Sequence, residues 1–192
     1  MKDIILASAS PRRSELLKQV GVNFRVIPSN IDESNNNNLK PEEYTVEIAY
    51  KKAFDIADKT NGSSLIIAAD TVVVKDNIMG KPENEAAAFQ MLETLQGQWH
   101  EVITGVAVIE SDTKKVSREF EKTFVKMKPL SRMEIESYIN SGEPMDKAGA
   151  YGIQGLGALL VEKIEGCYFN VVGLPLNRLN MMLEKFGIYL LK

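Results

Sequence analysis

SLIIAADTVVVKD, residues 64–76, decides the fold class. Five apolar residues run into Asp70, and the β-branched run TVVVK carries the strand pattern past it. A short, almost fully apolar, β-branched segment reads as a strand buried on both faces. A charge inside such a strand is costly unless it is paired or used, so Asp70 reads as functional rather than as a mere strand end.

Outward from this strand, helical and extended patterns mix along the chain. Toward the N-terminus, IILAS (4–8) reads as a buried strand and PRRSELLKQV (11–20) as a helix. Ser10 stands at the N-cap of that helix, Pro11 opens it, and Gly21 stops it. NFRVIPS (23–29) alternates as a second strand, and residues 30–40, with four consecutive asparagines at 35–38, form a loop. Residues 41–62 form an amphipathic helix opened by Pro41 and closed by Gly62.

Toward the C-terminus, NIMGKP is a turn and residues 83–97 a helix. Residues 100–111 and 114–129 read as two long antiparallel strands. Residues 131–142 form a helix with a Ser131/Glu134 capping box, 157–166 a strand, and 174–187 a last helix. The pattern predicts an α/β or α+β class with a mixed sheet, in one domain covering 1–192.

Composition narrows the function. Of 192 residues, 44% are hydrophobic and 26% charged, and the net charge of −3 argues against a surface that coats nucleic acid. One cysteine, Cys167, excludes an internal disulfide and a multi-thiolate zinc site, and reads as a small buried hydrophobe. One histidine, His100, excludes a multi-histidine metal site and reads as a surface or boundary residue. With no nucleophile-elbow serine, a hydrolase triad is discounted. No signal peptide or membrane span is read, so a cytoplasmic location is expected.

The remaining chemistry-bearing residues point one way. Arg12 and Arg13 stand at a helix start, where the backbone dipole disfavours cations unless an anion joins them. Lys52 lies in the 41–62 helix, where a snorkelling lysine and a phosphate contact are equally good readings. Lys81 sits in a Gly-Lys-Pro turn and reads as an exposed loop lysine or a phosphate ligand, while Asp32 and Glu33, at the edge of the 30–40 loop, read better by themselves as a solvated acidic loop than as metal carboxylates. DKAGAYGIQGLG (146–157) has four glycines whose N–H groups can approach a phosphate or base, and Gln154 can read a base edge. Several cations with two carboxylates suit a polyphosphate substrate and a divalent metal.

In this order and spacing, ASASPRRSELL (7–17), DES (32–34), YKKA (50–53), AADTVV (68–73), GKP (80–82) and DKAGAYGIQG (146–155) resemble the Maf family of nucleotide pyrophosphatases. The likeness runs from residue 4 to about 178. It implies an elongated, two-lobed α/β fold like that of inosine triphosphate pyrophosphatases, with a central twisted mixed sheet and an active cleft between the lobes. It also implies a homodimer, a need for Mg²⁺ or Mn²⁺, and cleavage of a nucleoside triphosphate to the monophosphate and pyrophosphate.

By the same resemblance, Ser8, Ser10, Arg12, Arg13, Lys52 and Lys81 contact phosphate and substrate. Asp70 accepts the proton of water or holds metal, and Glu33 is the second metal carboxylate. Arg12, Thr71 and Gln154 match the specificity positions of the branch resembling dTTP/UTP pyrophosphatase, with modified pyrimidine nucleotides as further substrates. The reading from another class is a nucleotide-binding regulator of cell division and septum formation that hydrolyses little. Such a binder needs the cations but gains nothing from Asp70.

Overall fold

The computed structural model describes residues 2–32 and 39–191. Its strands form a seven-stranded mixed sheet flanked by helices. In chain order the strands are β1 (Asp3–Leu6), β2 (Arg25–Val26), β3 (Ser64–Val74), β4 (Ile78–Met79), β5 (Trp99–Glu110), β6 (Val116–Met127) and β7 (Val161–Glu165). Across the sheet they run β2-β1-β3-β5-β6-β7, with β4 paired to β3. β1 is parallel to both β2 and β3, whereas β3/β4 and β6/β7 are antiparallel. The helices are α1 (Pro11–Gln19), α2 (Pro41–Lys59), α3 (Glu85–Leu95), α4 (Arg132–Asn140), α5 (Tyr168–Val172) and α6 (Leu176–Glu184).

The described residues divide into two compact units: residues 1–70, 104–121 and 173–192, and residues 71–103 and 122–172. Each has its own apolar cluster. In the first unit, Ile5, Ile66, Ala68, Ala107 and Ile109 of the sheet meet Ala49, Ala53, Ile56 and Ala57 of α2. The alanine-rich stripe of α2 allows a close approach, and Gly105 on β5 extends it. A Cβ on Gly105 would fall into the backbone of Thr45. Only glycine lets this helix lie so near the strand.

In the second unit, Val73, Val102, Val125 and Met127 pack with Leu92 and Leu95 of α3, Ile135, Tyr138 and Ile139 of α4, and Ala150 and Tyr151. α3 starts where the Asn84 side chain accepts the Ala87 N–H at 2.9 Å, and α4 where Ser131 and Glu134 form the expected capping box.

Several expectations change. The strand expected at 23–29 is only Arg25–Val26, an exposed edge pair opposite Ile5 and Leu6. Met79 of the expected turn pairs with Val73 as part of β4. The strand expected at 157–166 begins at Val161, because residues 155–159 form a 3₁₀ turn in which Gly155 has φ +61°. The last helix starts at Leu176 after Pro175, and a separate short helix, α5, precedes it. His100 is buried rather than at a boundary, and Cys167 is half-buried. The loop expected at 30–40 falls mostly outside the described residues, as does Glu33.

Candidate active site

β1 and β3 are parallel neighbours, in register from Asp3↔Ser64 to Leu6↔Ile67, and the Ala7 N–H donates to Ile67 O at 2.8 Å. The carboxyl end of β1, where open α/β sheets place their ligands, therefore lies beside the middle of β3, which runs on to Val74. Two residues beyond β1 comes Ser8, and three beyond Ile67 comes Asp70.

Strand alternation puts Asp70 on the face of Ile66 and Ala68, the face that meets α2. On α2, Lys52 shares the stripe of Ala49, Ala53 and Ile56, one turn from each end of it. The two motifs thus converge. Lys52 Nζ lies 2.7 Å from Asp70 Oδ1, and the two side chains are only 12% and 11% exposed. This pairing resolves both sequence questions. Lys52 is directed inward, and the charge within the strand has a partner. Neither reading of Lys52 foresaw an ion pair with Asp70.

Beyond β1 the chain turns into α1. Ser8 is buried, and its Oγ accepts the Ser10 N–H at 3.2 Å and Arg13 Nη1–H at 3.3 Å. Arg13 Nε donates to Gly173 O at 2.8 Å. Arg13 thus braces the segment before α6 against the start of α1. Ser10 is the N-cap but makes no capping bond through its side chain. Arg12 is half-buried one position earlier. The first turn of α1 carries no acid, so its N–H groups and two guanidinium groups make a positive region.

The second unit carries the other candidates. Thr71 follows Asp70 and alternates to the opposite face of β3. Lys81 is exposed, in the turn after β4. The Gly149 N–H donates to Gly80 O at 3.0 Å, which joins the glycine-rich segment to the Lys81 turn. Gln154 is exposed on that segment.

Beneath it, His100 Nε2 lies 2.6 Å from Tyr151 Oη, edge-on at 88°. Burial, with the positive charge of Lys75 nearby, lowers the His100 pKa to about 4, so the imidazole is neutral at ordinary pH. Burial raises the Tyr151 pKa, so its hydroxyl stays protonated. Sequence reasoning missed this pair, since nothing local to Trp99-His100 signals a partner 51 residues away.

For a divalent cation, the described residues offer no cluster of three or more His, Cys, Asp or Glu side chains. Asp70 supplies one hard oxygen donor group. That fits Mg²⁺ or Mn²⁺, which take one or two carboxylates and fill the other positions from phosphates and water. No helix among the described residues is long and apolar enough to cross a membrane.

A family model described as Maf-like protein matches residues 3–186. A protein named dTTP/UTP pyrophosphatase from Acetivibrio thermocellus is 56% identical over 198 positions, covering 100% of this chain and 99% of that protein. One of the same name from Caldicellulosiruptor bescii is 53% identical, covering 100% and 98%. In fold, the chain is similar to a HAM1 protein from Coxiella burnetii, with a TM-score of 0.56 at 15% identity over 96% of this chain and 100% of that one. The chain belongs to the Maf-like protein family.

Proposed function

We propose that this protein is a nucleoside triphosphate pyrophosphatase that hydrolyses dTTP and UTP, and modified pyrimidine nucleotides, to the monophosphate and pyrophosphate. The observation that carries this reading is the Lys52–Asp70 pair, with the aspartate inside β3 three residues beyond Ile67, together with the Ser8–Arg13 corner just past β1, whose last residue Leu6 pairs with Ile67. The names of relatives more than half identical over the full chain support the substrate class.

Asp70 orients water and takes its proton as the water oxygen bonds to the α-phosphorus. The bond from that phosphorus to the bridging oxygen breaks, and pyrophosphate leaves. Arg12, Arg13, Lys52 and Lys81 neutralise the triphosphate, so catalysis is mainly positioning and charge stabilisation. Alternatively, Asp70 with Glu33 would hold a Mg²⁺ or Mn²⁺, which would supply further charge neutralisation. Arg12, Thr71 and Gln154 select the base. The enzyme works as a homodimer in the cytoplasm, with the whole chain as one catalytic domain.

The test is pyrophosphate release from a panel of nucleoside triphosphates with Mg²⁺ or Mn²⁺, wild type beside Asp70→Asn. Turnover confined to dTTP and UTP, and lowered about 10³-fold in a normally folded variant, is expected. Binding without turnover on any nucleotide would overturn it in favour of a nucleotide-binding regulator.

A further inference from the structure

The glycine-rich segment of the second unit is held at both ends by two side chains that no phosphate or base contact explains. Glu143, just after α4, spreads its carboxylate over the segment. Its Oε1 accepts the Leu156 N–H at 2.9 Å and its Oε2 the Gly157 N–H at 3.3 Å. The Tyr138 hydroxyl accepts the Gly152 N–H at 3.3 Å and hydrogen-bonds the Glu143 carboxylate. One connected carboxylate–hydroxyl pair therefore grips residue 152 at one end and residues 156 and 157 at the other.

The glycines between show how closely the segment is drawn in. Gly155 has φ +61°, and a Cβ there would strike the Glu143 carboxylate. A Cβ on Gly157 would run into Gly152 O and the Tyr138 hydroxyl. The segment closes on itself around this pair, and Gln154, between the gripped ends, is left exposed. Electrostatics agree with the geometry. The two backbone N–H groups, Leu156 first, hold the Glu143 pKa below the usual carboxylate range, and burial keeps Tyr138 protonated as a donor.

We infer that Glu143 and Tyr138 are positioning residues that fix the Gly152–Gly157 segment and so set the base selectivity exerted through Gln154. This rests on the reading of Gln154 as a base reader. A glycine-rich segment without such ties samples many conformations, and a single amide then discriminates poorly between bases. Neither residue touches substrate in this scheme, so their loss falls on KM and selectivity more than on kcat.

The experiment compares wild type, Glu143→Gln, Tyr138→Phe and Gln154→Ala. It measures kcat and KM for dTTP, UTP and dCTP, and amide hydrogen exchange at Leu156 and Gly157. Glu143→Gln presents one acceptor and one donor where two N–H groups converge. It is expected to speed exchange at these two amides, raise KM for dTTP about tenfold and cut the dTTP/dCTP preference by a similar factor. Tyr138→Phe loses only the hydroxyl, shows a smaller change in the same direction, and carries the test if Glu143→Gln does not fold. If Gln154→Ala loses base preference while both other variants keep it, the inference is overturned. If Gln154→Ala itself keeps base preference, the reading of Gln154 fails, and selectivity control by Glu143 falls with it.

Discussion

The two units hold their candidate residues by different physics. In the first, charged side chains hold one another and the backbone: Lys52 with Asp70, and Arg13 with Ser8 and Gly173. In the second, the held element is backbone. Its N–H groups are collected by Gly80 O, the Tyr138 hydroxyl and the Glu143 carboxylate above a neutral His100–Tyr151 pair. The difference teaches a division of labour. On the proposed function, the charge of the first region suits a triphosphate and the tied glycine-rich segment of the second suits a neutral base.

The strongest way to break this comparison is Lys52→Met. It removes the ammonium from Asp70 and leaves the second unit untouched. A fall in kcat of about 10²-fold or more is expected, with the dTTP/dCTP preference unchanged. A lost preference with an intact kcat, read from the same steady-state assay, would show that the division is wrong.

Acid sharpens the contrast, because the neutral histidine belongs to the second region alone. The His100 pKa is lowered from 6.5 to about 4 in the folded protein, so below pH 6.5 the unfolded chain binds the extra proton first. Stability is therefore fully present above pH 6.5 and falls as pH drops toward 4, by roughly 3 kcal/mol from this group. Denaturant titrations at pH 7 and 5 should show the loss, and His100→Gln should flatten it. An equal slope in the variant would assign the acid sensitivity to the carboxylates instead.

The legibility of the molecule follows the same contrast. β3, α1 and the capping box of α4 could be read because their signals are local: an apolar run, Ser-Pro at a helix start, Ser and Glu three residues apart. Asp70 could be singled out because a charge in a strand is locally anomalous. Its partner could not, since pairing with Lys52 depends on how close α2 lies to the sheet, and that is set by Gly105 contacting Thr45. Residues 157–160 read as the start of a strand because GALL is apolar, whereas the turn that holds most of them is tied by Glu143, more than ten residues upstream.

The smallest expected effect concerns Arg13, which braces the fold through Ser8 and Gly173 and is proposed to meet phosphate. Nε and Nη1 leave a planar group in two directions, and here one reaches Gly173 O and the other Ser8 Oγ. Lysine keeps the charge but cannot span both acceptors in that geometry. Arg13→Lys should raise KM for dTTP about tenfold while kcat holds within a small factor, because a point charge still draws the triphosphate but the corner before α1 is no longer fixed. Should kcat fall with KM unmoved, Arg13 would act on the transition state rather than as a brace. The first region would then place all of its cations on the reaction itself, a stronger version of the contrast than the one drawn here.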